Sequence, residues 1–128
     1  MFKRGTGGGT KALGDAAESV ALAWLQERGL KLVQRNYRVA RGPSARGGEV
    51  DLILREPDGT LVFVEVRGRA GSAFGGAGAS VTASKQRSLV LAARHYLMHL
   101  AAPPPCRFDV VAIDGGRIEW LRGAFDAG

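Results

Sequence analysis

Two short acidic triplets carry most of the chemistry this sequence offers. Glu49-Val50-Asp51 and Glu65-Val66-Arg67 are separated by LILREPDGTLVFV, which reads as strand, turn, strand. Carboxylates on one strand, followed by carboxylate-x-cation on the next, suit a site that holds a divalent cation against a phosphodiester. Mg²⁺ is commonly held in that way, by one or two carboxylates completed with water and phosphate oxygen.

Val50, Leu52 and Leu54 alternate with Glu49, Asp51 and Ile53, and Val62, Val64 and Val66 alternate with Phe63, Glu65 and Arg67. A period of two marks strands. Pro57-Asp58-Gly59 predicts a three-residue hairpin loop with Gly59 in the left-handed position. In that register Leu52 faces Val64, Ile53 faces Phe63, Asp51 faces Glu65 and Glu49 faces Arg67. One face is aliphatic and belongs to the core. The other carries Ile53 and Phe63, then Asp51 with Glu65, then Glu49 with Arg67. Like charges directly opposed, with Cβ atoms about 5 Å apart, destabilise a sheet. The Asp51–Glu65 pair therefore calls for a metal ion, a raised pKa or a nearby cation. The hairpin alone leaves a plainer arrangement open: a solvated face with a Glu49–Arg67 ion pair.

The remaining elements must position this hairpin. Leu13, Ala17, Val20, Ala21, Trp24 and Leu25 recur at helical spacing, predicting a helix from Gly14 to about Arg28 with Gly29 as its stop. Glu18 lies at one margin of its apolar sector. It is placed either as a third carboxylate for the acidic end of the hairpin or as an exposed helix residue. Leu30 to Val39 reads as a strand, and Arg41 to Gly48 (RGPSARGG) as a basic turn. Gly68 to Ser80 (GRAGSAFGGAGAS) is a flap beside the hairpin or plain disorder; it lacks the Lys-Ser/Thr of a phosphate-binding P-loop.

A second helix begins near Thr82, with Val81, Leu89, Ala92, Ala93, Tyr96, Leu97 and Leu100 on its apolar face. Lys85 and Arg87 fall in its first turns, where cations oppose the helix dipole. They are read as phosphate contacts or as a tolerated surface pair. His95 and His99 are four apart with no third ligand in view, so they read as a helix flank. Pro103-Pro104-Pro105 is expected to end the helix. Arg107 to Ile113 is a further strand, turned by Asp114-Gly115-Gly116 and returned by Arg117 to Leu121. Asp109 is placed either as a further site carboxylate or, more simply, as a partner of Arg107 or Arg117.

The 128 residues suffice for one domain with a real core, and 45% of them are hydrophobic. Residues 1–12, basic and Gly-rich, read as a disordered arm, and 13–128 as a single domain. No apolar run is long enough to span a membrane, and no signal-peptide pattern is visible. The single cysteine, Cys106, excludes an internal disulfide. A cytoplasmic protein is expected. Eighteen basic residues against twelve acidic ones give a formal charge of +6, which favours an anionic partner, nucleic acid first. Arg41, Arg46, Arg69, Lys85 and Arg87 are the cations assigned to its backbone. A homodimer is left open.

Gly14, Glu18 and Ala21, Asn36-Tyr37-Arg38, GEVDLI (48–53), FVEVRGR (63–69), Lys85 and RFDVV (107–111) together resemble the small bacterial YraN-like family, whose members are mostly uncharacterised. The likeness spans roughly Gly14 to Phe125. It implies an α/β fold of the restriction-endonuclease-like kind, a mixed central β-sheet flanked by two main helices, similar to archaeal Holliday-junction resolvases. It implies Asp51 and Glu65 as ligands of Mg²⁺ or Mn²⁺ and Glu18 as a third acid. Arg67 stands where the nuclease motif PD-(D/E)xK has lysine, and Lys85 is the candidate to supply the missing ammonium. The expected function is a Mg²⁺-dependent nuclease acting on DNA, structured or branched DNA included. The alternatives are a nucleic-acid-binding module of repair or recombination that cleaves weakly or not at all, and a protein-interaction domain of such an assembly.

Overall fold

A computed structural model describes residues 8–40, 47–69 and 81–127, with side chains throughout except at 8–13 and 69. Arg41, Arg46, the first part of the N-terminal arm and the 70–80 flap lie outside these residues, and Arg69 is described in its backbone alone. The elements run α1 (Gly8–Glu27), β1 (Lys31–Val39), β2 (Gly48–Arg55), β3 (Leu61–Arg69), α2 (Ala83–Leu97), β4 (Cys106–Asp114) and β5 (Arg117–Phe125). The five strands form one mixed sheet in chain order. β3 and β4 are parallel and the other neighbours antiparallel. A parallel pair needs a crossover, and α2 provides it.

Two apolar layers result. Ala21 and Leu25 of α1 pack with Leu52, Leu54, Val62, Val64 and Val111. Leu89, Ala92 and Ala93 of α2 pack with Val50, Ile53, Leu61, Phe63, Phe108 and Val110. The chain is an α/β protein with a central sheet between two helices. Among the described residues no helix is long and apolar enough to cross a membrane.

The β2–β3 hairpin closes as its loop residues dictate. Glu56 N–H donates to Thr60 O at 2.9 Å, Gly59 takes φ +97°, and Asp58 Oδ1 accepts from Thr60 N–H at 2.9 Å. Leu52↔Val64, Ile53↔Phe63, Leu54↔Val62 and Arg55↔Leu61 pair in the expected register.

Three boundaries differ from the sequence reading. α1 begins at Gly8, so residues 8–12 join the helix rather than an arm; glycine is a poor helix former, and the reading stopped short there. α2 ends at Leu97, where Met98 N–H bonds back to Arg94 O at 3.1 Å, before the prolines are reached. β5 continues to Phe125. Its added length is accommodated by a register shift opposite Asp109. Buried Asp109 fills that irregularity: it accepts from Gly123 N–H (2.9 Å), Trp120 Nε1 (2.9 Å) and Arg107 Nε (3.0 and 3.2 Å). Arg107 also pairs with Glu56. Asp109 is thus a structural partner of Arg107, one of the two arginines the sequence offered it.

The strand alternation breaks at one rung. Leu52 belongs to the α1 layer, whereas Val50, two residues away, belongs to the α2 layer. Residues two apart on a regular strand share a face, so β2 turns over at Asp51. The expectation that Val50, Leu52 and Leu54 line one face is corrected accordingly. Across from it β1 does the same. Arg35 reaches α1 while Tyr37 packs in the α2 layer, and Asn36 between them has φ +51°. Gly48 fits this course: a Cβ there would lie 2.7 Å from Ser88 O and 2.8 Å from Ala92 N, so β2 passes directly against the α2 backbone.

Candidate active site

Asp51 stands at the turn-over rung and points into neither apolar layer. Its Oδ2 accepts from Val66 N–H at 2.8 Å. A continued antiparallel ladder would give that N–H to the backbone of Val50. The paired register instead ends at Leu52↔Val64. The predicted ladder opposition of Asp51 and Glu65 is therefore replaced by a different meeting. Asp51 enters from the gap between β2 and β3, and Glu65 projects from β3 on the α2 side. The two carboxyls still bond to each other, which favours the proton on Asp51.

Both are buried, Asp51 at 7% exposure and Glu65 at 3%. Burial, then the Glu65 charge, pushes Asp51 up to about 7, against the pull of the Val66 N–H. Burial also raises Glu65, opposed first by Lys85, then by the bond from Asp51 and then by Arg67. Arg67 Nη1 lies 3.5 Å and Lys85 Nζ 3.6 Å from the same Glu65 Oε2. α2 brings Lys85 there from its first turn, where Thr82 Oγ1 caps the helix by accepting Lys85 N–H at 3.1 Å.

Glu18 joins the two acids from α1. It is buried at 9% exposure, and burial and then the Asp51 charge raise its pKa. The exposed-helix reading of Glu18 is excluded. Arg35 Nη2 lies 3.6 Å from Glu18 Oε1, and Arg35 and the nearby Asn36 side chain both pull the Glu18 pKa down. Gly68 allows the approach of α1 to β3 beside this site: a Cβ on it would meet Ala17 Cβ at 3.1 Å.

The structure thus gathers Glu18, Asp51, Glu65, Arg67 and Lys85. Arg87 is exposed on α2. The Glu49–Arg67 ion pair of the plainer alternative does not form; Glu49 lies 3.8 Å from Arg38, and Arg67 turns to Glu65. His95 Nδ1 meets Tyr37 Oη at 2.6 Å, and His99 Nδ1 meets the His95 carbonyl at 2.9 Å. Sequence reasoning missed Arg35 and assigned no role to Asn36. The available signal was an asparagine inside a β-rich run, since Asn is disfavoured in strands yet tolerates the left-handed region.

The donors fit a hard divalent cation. They are all carboxylate oxygens, and two buried ones, Glu18 Oε1 and Glu65 Oε1, have no hydrogen-bond partner. An unpartnered buried acceptor is costly, and a cation would satisfy it. Among the described residues no group of three or more histidine, cysteine or acidic side chains is arranged as a metal cage. A cation here would rest on Asp51 and Glu65, with water and substrate oxygen completing its shell.

A family model described as "Uncharacterised protein family UPF0102" matches residues 17–113. The chain belongs to that family. A UPF0102 protein of Methylibium petroleiphilum is 67% identical to it over 118 residues, covering 92% of this chain and 97% of the relative. One of an Acidovorax species is 63% identical, covering 92% and 87%, and one of Paracidovorax citrulli is 60% identical, covering 93% and 86%. Glu18, Arg35, Asn36, Asp51, Glu65, Arg67 and Lys85 all lie inside the span matched to UPF0102, whereas β5 lies beyond it.

Proposed function

We propose that this UPF0102 chain is a divalent-cation-dependent phosphodiesterase acting on DNA, built on a restriction-endonuclease-like fold. The observation that carries the reading is the convergence of Glu18, Asp51 and Glu65, with two carboxylate oxygens left without a hydrogen-bond partner. Asp51 and Glu65 would hold Mg²⁺ or Mn²⁺, and Glu18 would assist. Bound there, the ion supplies Lewis acidity and a lowered pKa for water. A guanidinium is no general base; that of Arg67 donates hydrogen bonds to the scissile phosphate. Lys85 supports this assignment by bringing an ammonium to the carboxylate that Arg67 also meets. The formal charge of +6 supports a polyanionic substrate.

Arginine in place of the motif lysine favours a second reading, a nucleic-acid-binding module with little or no cleavage. One experiment separates the two. Single-stranded, duplex, flapped and four-way DNA are incubated with the protein and Mg²⁺ or Mn²⁺, and binding is measured across a fourfold range of salt. Metal-dependent cleavage that is lost on chelation supports the nuclease. Binding without cleavage, with a slope of log K on log salt near −0.9 per phosphate neutralised, supports the module. Neither cleavage nor salt-sensitive binding refutes both.

A further inference from the structure

Asn36 is the one non-glycine with positive φ among the described residues, and it lies in the middle of β1. The pairs Arg35↔Leu52 and Tyr37↔Val50 place it across from Asp51. A non-glycine held in the left-handed region inside a strand is an observed outlier of the kind that collects at functional sites. Asn and Asp tolerate that region better than other side-chain-bearing residues.

The outlier has a visible result. With regular alternation Arg35 would share a face with Tyr37, which packs against the rings of His95 and Tyr96 on α2. The left-handed turn at Asn36 sends Arg35 to the other side. There its Nη2 lies 3.6 Å from Glu18 Oε1 and 3.4 Å from Ser19 Oγ. The Asn36 side chain lies beside the same carboxylate and pulls the Glu18 pKa down against burial. Two adjacent residues of an edge strand therefore hold one acid of the site, the first because the second turns the strand over. β2 turns over at the matching residue, Asp51, so one rung of the sheet orients two of the three acids.

We propose that Asn36 is a positioning residue for the acidic site: its left-handed backbone delivers Arg35 to Glu18, and its amide holds the Glu18 carboxylate beside Asp51. The proposal rests on the reading of Asp51 and Glu65 as a divalent-cation site that Glu18 assists. Groups that support a metal site from outside its direct ligands typically change metal affinity 10–100-fold when removed.

The test is Mn²⁺ binding to the full chain, by calorimetry and by loss of the free-ion spin-resonance signal, with thermal midpoints in parallel. Asn36→Gly keeps the left-handed backbone accessible and removes only the amide. It should fold with a midpoint near wild type and bind Mn²⁺ about 10-fold more weakly. Asn36→Ala removes the amide and disfavours the backbone, so it should lose more affinity and melt lower. In a Glu18→Gln background, Asn36→Gly should cost nothing further, because the residue acts through Glu18. Wild-type affinity in Asn36→Gly, or full additivity with Glu18→Gln, overturns the proposal while leaving the metal site standing. Absence of Mn²⁺ binding by the wild type overturns the metal reading and this proposal with it.

Discussion

Replacing Asp51 by Asn should stabilise the metal-free protein, and by an amount that depends on pH. Asp51 is buried, accepts the Val66 N–H, bonds to Glu65, and has its pKa pushed up to about 7 from an ordinary 3.8. Between about pH 4 and pH 7 the native protein keeps a proton that the unfolded chain has released. Stability conferred by that proton is complete below the unfolded value, falls as pH rises through the window, and is gone above about 7. A gap of about three pH units at about 1.4 kcal/mol each comes to about 4 kcal/mol. Asparagine has no such proton to lose. Its carbonyl can accept from Val66 N–H and its amide can donate to Glu65. The advantage of Asp51→Asn over wild type should therefore grow by about 3 kcal/mol from pH 5 to pH 8. Urea unfolding in the presence of a chelator at both pH values measures it, as a midpoint difference that widens by about 1 M or more. Asp51→Asn should at the same time lose divalent-cation affinity, which is the usual trade at a strained site. An advantage unchanged with pH, or a variant less stable than wild type at pH 8, would refute the account of Asp51 as a buried acid held against its charge.

Gly48→Ala places a Cβ 2.7 Å from Ser88 O and 2.8 Å from Ala92 N, and neither backbone atom can rotate away. It should cost about 1–3 kcal/mol or more in urea unfolding, and cation affinity should change with it as α2 shifts and moves Lys85 relative to Glu65. Arg67→Ala should abolish cleavage with Mn²⁺ binding retained, whereas Arg67→Lys should retain or raise cleavage, both read in a single-turnover assay. An inactive Arg67→Lys, alongside a wild type that cleaves nothing, would leave the binding module as the reading to pursue.

Much of this molecule follows from local chemistry. The hairpin register comes from two alternating runs and a loop with Gly59 where a left-handed residue is needed. The α2 start follows from Thr82 as cap. Glu18, Asp51, Glu65, Arg67 and Lys85 are singled out by residue type and spacing, and they do converge. Local pattern fails at the rung that builds the site. Alternation reports where a side chain points on an unbroken strand, and Asp51 and Asn36 sit where both strands break it. The break is held by groups remote in sequence: the Val66 N–H takes the Asp51 carboxylate, Glu18 on α1 takes Arg35 and Asn36, and the α2 backbone closes on Gly48. For the same reason Glu49 pairs with Arg38 rather than Arg67. The sequence by itself determined which acids and cations are available and which strands carry them. Only the tertiary structure decided that Asp51 leaves its sheet face, because that orientation is stable only once β3 supplies the Val66 N–H and the Glu65 carboxyl.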